Sequence, residues 1–185
     1  MTSATKRLIV LCGLPFSGKT SYTKTLSQPF LLIARDAYLH DINQDPVLLQ
    51  RLRQEASELK AQLKSTLFAT QEENAFNDLV TKEYVHRVEN VIFSSSDDVV
   101  VVDGTHLQRL SRSFIRAFPD REKVAVVIDT PLEECVRRFR NTNSADQFSG
   151  LRSSLTEQKL RDLARIFERP TEDEGFDQIL TISPS

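Results

Sequence analysis

Five short apolar runs, rich in β-branched residues and spread along the chain, constrain the fold more than any other feature of the sequence. They occupy residues 8–12, 30–34, 99–103, 124–129 and 179–182. Because the runs are continuous rather than alternating with polar residues, they are typical of strands buried on both faces. Helical patterns lie between them, and strands interleaved with helices form parallel sheets through right-handed crossovers. We therefore predict a three-layer α/β fold with a five-stranded parallel sheet.

Size and composition favour one compact domain that spans residues 1–185. The chain has 185 residues, and 39% of them are hydrophobic, which is enough for a sizeable core. No apolar run approaches the roughly 20 residues of a membrane span, and the first run is too short for a signal peptide. We therefore expect a cytoplasmic protein with no membrane partner.

Charge and cysteine usage narrow the range of functions. A net charge of -2 excludes a protein that coats nucleic acid through bulk positive charge, although it allows a local basic groove. Cys12 and Cys135 lie far apart in different predicted elements. We interpret both as small buried residues, because they suit neither a disulfide framework nor a zinc site.

The segment from about residue 45 to 95 contains no glycine, and no proline after Pro46. Asp45 is the expected N-cap of a helix, and Pro46 suits its first position. Two apolar stripes at spacings of three and four follow, and their residues are Leu49, Leu52, Ala56, Leu59, Leu63 and Leu67, then Phe76, Val80, Tyr84, Val88 and Ile92. We predict two long helices joined by a tight turn, or one bent helix, inserted between the second and third strands and packed into the core.

One motif follows the first strand directly. Residues 13–20, GLPFSGKT, match the pattern G-x-x-x-x-G-K-[ST]. Between a strand and a helix, such a loop directs successive backbone N–H groups at a bound anion. Lys19 would bridge the β- and γ-phosphates, and the Thr20 hydroxyl would be a ligand of Mg²⁺. We therefore predict ATP and Mg²⁺ as cofactors, and the predicted nucleotide-binding residues are Gly13, Leu14, Pro15, Phe16, Ser17, Gly18, Lys19, Thr20 and Ser21.

Binding a triphosphate does not by itself define a reaction. The sequence has no NKxD-type segment of the kind that reads guanine in GTPases. The third strand ends in Asp103, but Gly104 follows it instead of the second carboxylate that a motor usually carries. These features favour a kinase that phosphorylates a hydroxyl group.

Several segments, taken in order, resemble the polynucleotide-kinase-like P-loop kinases. They are GLPFSGKT, LLIARDAYLHDI, VVVVDGTHL, CVRRFRNTN and FERPTEDEGFDQILTI, which together cover nearly the whole chain outside the helical insert. The resemblance implies a P-loop kinase fold in which Asp36 is the general base toward the acceptor hydroxyl. It also implies a lid at about residues 141–152, after the fourth strand, with Arg138 and Arg140 as catalytic residues that close over the phosphates.

The sequence departs from the family pattern on the acceptor side. Ala34 replaces a frequent Asn, and Leu39 stands where the phage-type polynucleotide kinases have an arginine that holds the acceptor's phosphate. The resemblance implies the 5′-OH end of a nucleic acid as acceptor. Leu39 and the acidic pI favour a small molecule instead. A third alternative is a nucleotide-dependent binding module that phosphorylates nothing and uses the insert to dock a partner.

Gly13, Asp36 and Asp103 each follow a predicted strand, and ligands of parallel sheets bind beyond the carboxyl ends of strands. Asp36 is either the base or a cap of its turn, and Asp103 either orients a Mg²⁺-bound water or hydrogen-bonds the turn at Gly104. The expected acceptor-binding residues are Arg35, Asp36, Asp103, Thr105 and His106. His106 is equally compatible with a packed turn.

The remaining arginines are expected in solvent. Arg109, Arg112 and Arg116 share one face of a predicted helix, at spacings of three and four. We interpret this face as solvated, and it would become a track for backbone phosphates only if it borders the acceptor cleft. Arg137 is assigned to solvent.

Overall fold

All five predicted strands form one parallel sheet. The structure, a computed structural model, describes residues 5–62, 69–141 and 155–183. The strands are β1 (Arg7–Cys12), β2 (Leu31–Ala34), β3 (Val99–Asp103), β4 (Glu122–Ile128) and β5 (Gln178–Ile182). Their order across the sheet is β2-β3-β1-β4-β5, and every neighbouring pair is parallel. The predicted α/β class and strand number are confirmed.

Helices connect the strands and cover both faces of the sheet. They are α1 (Lys19–Thr23), α2 (Arg35–Gln44), α3 (Pro46–Gln62), α4 (Ala69–Ser94), α5 (Arg109–Arg112), α6 (Leu132–Asn141) and α7 (Glu157–Arg165). Two short 3₁₀ turns lie at Ser113–Ala117 and Glu172–Glu174. None of these helices combines the length and the apolarity that a membrane crossing needs.

Successive residues of β1 contribute to different sides of the core, as the alternation of a strand requires. Leu8 and Val10 pack with the inserted helices, whereas Ile9 and Leu11 pack on the opposite face of the sheet. The central strands are buried on both faces, as predicted. That prediction is wrong for β2 and β5, whose side chains are partly exposed because these two strands form the edges of the sheet.

The insert between β2 and β3 contains two long helices, α3 and α4, which pack against each other. Asp45 caps α3, since its Oδ1 accepts a hydrogen bond of 2.9 Å from the Leu48 N–H. The predicted stripes largely face the core, with Leu52 and Ala56 of α3 buried beside Tyr84 of α4. The prediction is wrong for Leu59, which is exposed near the end of α3. The segment that joins the helices, with Leu63 and Leu67, lies outside the described residues. Cys12 and Cys135 are buried and unbridged, as expected.

One expectation for the arginines is wrong. Arg112 is fully buried, and its guanidinium forms a two-bond ion pair with Glu174, with N···O distances of 2.8 and 2.7 Å. It also donates to the carbonyls of His106 and Glu168, so a residue expected in solvent ties the β3–α5 loop to the C-terminal segment. The helical pattern also breaks after Arg112, where α5 gives way to a 3₁₀ turn. Arg112 is therefore not available to a phosphate track.

His106 is a second buried polar residue in this loop. Its Nδ1 lies 2.8 Å from the Leu11 carbonyl, and its Nε2 lies 2.9 Å from the Tyr84 hydroxyl. A carbonyl only accepts, so Nδ1 carries the proton and Nε2 accepts from Tyr84. Burial lowers the pKa of His106 to about 3 and keeps the ring neutral. The residue thus links β1, the β3–α5 loop and the inserted helix α4.

The buried imidazole makes stability depend on pH. The unfolded chain takes up a proton at His106 as the pH falls below about 6.5, whereas the folded protein resists that proton until about pH 3. The contribution of His106 is therefore complete above pH 6.5 and is lost as the pH falls toward 3, with about 2 kcal/mol lost by pH 5. Denaturant unfolding at pH 7.5 and pH 5 should show this loss in the parent.

His106→Gln should be less stable at pH 7.5 and should vary less with pH. His40 and His86 are exposed, so His40→Gln and His86→Gln should retain the parental difference between the two pH values. An undiminished pH dependence in His106→Gln would contradict the assignment.

Candidate functional site

The loop between β1 and α1 has a backbone that depends on its two glycines. Gly13 and Gly18 have φ angles of 150° and 104°, which residues with a side chain rarely adopt. A Cβ on Gly13 would lie 2.8 Å from the Ile128 carbonyl oxygen, at the end of the neighbouring strand β4. The loop is therefore closely fitted to the edge of the sheet.

Hydrogen bonds hold this loop in shape. The Lys19 ammonium lies across it and donates to the carbonyls of Gly13 and Leu14 at 3.0 and 2.7 Å. The Thr130 hydroxyl, just beyond β4, donates to the Ser17 carbonyl at 2.6 Å. Since these bonds occupy carbonyl oxygens, they stabilise the loop without using the backbone N–H groups that a phosphate needs.

The other residues of the motif divide between core and surface. Leu14 is buried with residues of α6 and α7, and the ring of Phe16 meets that of Phe139 edge to face at 5.6 Å. Pro15 is partly exposed, while Thr20 and Ser21 are exposed in α1. The apolar residues of the loop thus anchor it to α6, Ser17 and Lys19 are buried within it, and Thr20 and Ser21 remain accessible.

Thr20 and Asp103 come together from distant parts of the sequence. The Thr20 hydroxyl donates to Asp103 Oδ2 at 3.3 Å, across the edge of the sheet between α1 and the end of β3. A hydroxyl and a carboxylate are oxygen ligands of the kind that Mg²⁺ uses together with phosphate oxygens and water. Within the described ranges, no group of three or more His, Cys, Asp or Glu side chains forms a metal site. The Thr20 hydroxyl and the Asp103 carboxylate are donors that fit Mg²⁺ held together with the phosphate oxygens of a nucleotide.

Arg35 and Asp36 open helix α2 directly after β2. The N-cap of α2 is Ala34, so Asp36 does not occupy the capping position that was its alternative role. Asp36 is an exposed carboxylate in the first turn, where the helix dipole favours a negative charge. Arg35 packs on Gly104, since a Cβ there would lie 2.9 Å from Arg35 Cβ. Both residues therefore lie at the same edge of the sheet as the loop.

Thr105 and His106 take up structural positions. The Thr105 carbonyl accepts a 3.1 Å hydrogen bond from the Gly13 N–H, and this bond joins the loop after β3 to the phosphate loop. Both ring nitrogens of the buried His106 have partners. The structure therefore favours the packed-turn interpretation of His106 over an acceptor contact.

The two predicted lid arginines separate. Arg138 lies against the phosphate loop, where its Nη1 is 3.3 Å from the carbonyls of Phe16 and Ser17. Its Nε pairs with Glu134, and the hydrogen bonds of Glu134 with Arg137 and Arg138 lower the pKa of that carboxyl to about 2. Arg140 instead pairs with Glu157 at the start of α7, and 63% of its side chain is exposed. Beyond Asn141, the predicted lid lies outside the described residues.

Two residues of the site did not emerge from the sequence. Thr130 follows the end of β4, as Asp36 follows the end of β2, so the rule that ligands bind beyond strand ends also indicates this residue. Tyr84 was predicted only as part of a core stripe. Its hydroxyl bond to His106 and the Arg35 guanidinium 5.5 Å from its ring centre depend on tertiary contacts.

Comparisons with known proteins concern the fold of the whole chain. TT1252 from Thermus thermophilus is 20% identical, with a TM-score of 0.55 over 97% of this chain and 90% of that one. A gluconokinase from Sinorhizobium meliloti 1021 is 16% identical, with a TM-score of 0.55 over 98% of this chain and 84% of that one. Kti12 from Chaetomium thermophilum, in complex with ADP-AlF3, is 14% identical, with a TM-score of 0.53 over 95% and 88%. At these identities the likeness establishes the fold alone.

The search of curated proteins gave no significant match. A family model described as an AAA domain matches residues 8–170, which is most of the chain. The protein therefore belongs to this AAA-domain family and has the fold of the P-loop kinases.

Proposed function

We propose that the protein transfers the γ-phosphate of ATP to a hydroxyl group. The observation that carries the proposal is the approach of Thr20 in the phosphate loop to Asp103 at the end of β3, with an oxygen–oxygen distance of 3.3 Å. This contact brings the predicted nucleotide loop and the carboxylate at the end of β3 to one edge of the sheet. The helix that begins with Arg35 and Asp36 lies beside them. Nucleotide, metal and acceptor groups would then share one cleft.

The phosphate loop would hold ATP through its backbone N–H groups and Lys19. The lysine now donates to loop carbonyls, and on binding it would exchange these bonds for phosphate oxygens. Thr20 and Asp103 would hold Mg²⁺. When bound, the ion neutralises charge on the β- and γ-phosphates.

Asp36 would act as the general base. Its exposed carboxylate would take the proton of the acceptor hydroxyl while the hydroxyl oxygen forms a bond to the γ-phosphorus and the bond to the β-phosphate oxygen breaks. The products are ADP and a phosphate ester. Arg138 is positioned to stabilise the charge on the transferred group, since it already contacts the phosphate loop.

The acceptor has two candidates. The resemblance to polynucleotide-kinase-like enzymes favours a 5′-OH nucleic acid end. The structure favours a small hydroxyl compound, because the three-arginine track does not exist as a free basic face: Arg112 is buried with Glu174, and Arg109 is paired with Asp173. A gluconokinase shares the fold, which is compatible with this alternative.

An acceptor panel separates these candidates. Purified protein with ATP and Mg²⁺ should phosphorylate either a 5′-OH oligonucleotide or members of a panel of sugars and hydroxy acids. A polynucleotide acceptor should show a KM that rises steeply with salt, with a log–log slope of about 0.7 per phosphate contact on a single strand. A salt-insensitive KM would exclude the polynucleotide. ATP binding without transfer to any acceptor would support a binding module instead.

Asp36→Asn tests the base. The substitution keeps the size of the side chain and removes the proton acceptor, so single-turnover transfer should fall by about 10² to 10⁴. ATP affinity by calorimetry and the melting temperature should remain close to those of the parent, since Asp36 is exposed and is not the N-cap. Asp41→Asn, at another exposed carboxylate of α2, is the matched control. Transfer within threefold of the parent would falsify the role of Asp36.

Arg138→Ala tests the arginine at the loop. We expect kcat to fall at least about tenfold, with a smaller change in the KM for ATP, because charge on the transferred group is greatest in the transition state. Arg137→Ala is the matched control, since Arg137 binds the same Glu134 carboxylate but is exposed.

Arg140→Ala should have a smaller effect than Arg138→Ala, because Arg140 is engaged by Glu157. Steady-state kinetics on the three variants decides the order. A larger loss of kcat in Arg140→Ala would reverse the assignment.

A further inference from the structure

The guanidinium of Arg35 is enclosed in an unusual way. Its side chain runs over Gly104, where a Cβ would lie 2.9 Å from Arg35 Cβ and 3.1 Å from its Cδ. Its Cζ lies 5.5 Å from the ring centre of Tyr84, which comes from the inserted helix α4. Only a glycine at position 104 leaves room for this path, so two separate elements shape a place for one cation.

The surroundings of Arg35 leave the hydrogen bonding of its guanidinium incomplete. Burial lowers the pKa of Arg35, and the nearby Asp36 and Tyr84 oppose that shift only in part. Among the residues that the structure describes, Arg35 Nε is the buried side-chain nitrogen or oxygen without a hydrogen-bond partner. An arginine remains charged in proteins, and a buried N–H without a partner is costly. The fold therefore maintains a partly buried cation and leaves its buried Nε–H without a hydrogen bond.

The aromatic support beneath the cation is itself fixed. The Tyr84 hydroxyl donates to His106 Nε2, and His106 Nδ1 donates to the Leu11 carbonyl at the end of β1. Tyr84 is fully buried, and burial raises the pKa of its hydroxyl, which keeps it neutral. The Tyr84 ring is thus linked through His106 to β1, the strand that leads into the phosphate loop. The Arg35 guanidinium lies 5.5 Å from the centre of this fixed ring.

The location indicates what would complete the site. Arg35 precedes Asp36, the proposed base, and packs on Gly104, which follows Asp103. A group bound at Arg35 would therefore lie beside the reacting hydroxyl. An anion would supply hydrogen-bond acceptor atoms and a negative charge opposite the guanidinium. A planar guanidinium pairs with phosphate or carboxylate through two bonds.

We propose that Arg35 binds an anionic group of the acceptor, a phosphate or carboxylate close to the hydroxyl that is phosphorylated, and that Tyr84 is a positioning residue that presents the guanidinium. This inference rests on the proposed function and names its substrate class. The anion comes either from the first phosphodiester of a 5′-OH nucleic acid or from the acid group of a small hydroxy compound.

Two matched acceptor pairs test the proposal. One is a 5′-OH dinucleotide with a native phosphodiester and its uncharged methylphosphonate analogue. The other is glycerate and its neutral amide, in which the hydroxyls lie close to the acid group. The parent should prefer the anionic member of one pair by about 10- to 100-fold in kcat/KM, the size of a charged hydrogen bond. The pair that shows the preference identifies the source of the anion.

Arg35→Gln should remove that preference by lowering kcat/KM for the anionic member alone. Arg53→Gln is the matched control, because Arg53 also stacks on an aromatic ring, that of Phe76 at 4.8 Å, but is exposed. An equal loss of kcat/KM for the charged and the neutral acceptors in Arg35→Gln would overturn the proposal. Arg35 would then be a structural residue or a group that acts in the transition state.

Tyr84 has its own test. Tyr84→Phe keeps the ring and should keep the preference for the anionic member. Tyr84→Leu should raise the KM for that acceptor about tenfold or more, with an unchanged KM for ATP. If Tyr84→Leu keeps the parental acceptor KM, or if Tyr84→Phe loses the preference as fully as Tyr84→Leu does, Tyr84 is not the support of Arg35.

A binding measurement separates this inference from the kinase proposal. With the loop saturated by a non-hydrolysable ATP analogue and Mg²⁺, calorimetry with inorganic phosphate should detect one further site. Its affinity should fall at least about tenfold in Arg35→Gln and remain in Arg53→Gln. If this site is present but the parent transfers phosphate to no acceptor, the kinase proposal fails and the anion site stands. If Arg35→Gln leaves phosphate binding unchanged, or the parent binds no further phosphate, the anion site fails whatever the activity.

Discussion

Parallel pairing of β1 with both β3 and β4 is the constraint on which the rest of the site depends. The register sets Val10 against Val102 on one side and Cys12 against Val127 on the other. All three strands therefore end at the same edge of the sheet. The residues that follow these three strands, including Gly13, Gly104 and Thr130, therefore lie close together at this edge, although they are far apart in the sequence. The phosphate loop takes its fixed shape from these neighbours, because its Ser17 carbonyl accepts a hydrogen bond from the Thr130 hydroxyl and its Gly13 N–H donates to the Thr105 carbonyl.

Buried polar residues fix the loop that follows β3. His106 joins the end of β1 to the inserted helix, and Arg112 joins the same loop to the segment before β5. Such groups are costly to bury unless they are fully bonded, and the bonds they make fix one arrangement of the loop. The end of β3, which this loop follows, places Asp103 3.3 Å from the Thr20 hydroxyl. A purely apolar contact would allow more sliding at this position.

Much of this structure could be predicted because local patterns determine it. The apolar runs predict the five strands, and the motif at residues 13–20 together with the strand-end rule indicates the edge where the site lies. The stripes at residues 76–92 predict a buried helix. The sequence does not predict that Arg112 is buried, since its partner Glu174 lies 62 residues away and the spacing of three from Arg109 suggests an exposed face. It also does not predict the aromatic support of Arg35, because Tyr84 looks like any core residue until the helix is placed against the sheet.

The distribution of the arginines explains how a protein with a net charge of -2 can serve a highly anionic ligand. Several arginines are neutralised by nearby carboxylates: Arg109 by Asp173, Arg112 by Glu174, and both Arg140 and Arg161 by Glu157. Their charge stabilises the fold and contributes little to the electrostatic potential at the edge of the sheet where the site lies. Lys19, Arg35 and Arg138 lie at that edge on three different helices, and Arg138 is itself paired with Glu134. A few cations at fixed positions select an anion by its geometry, whereas an extended basic surface would attract any polyanion.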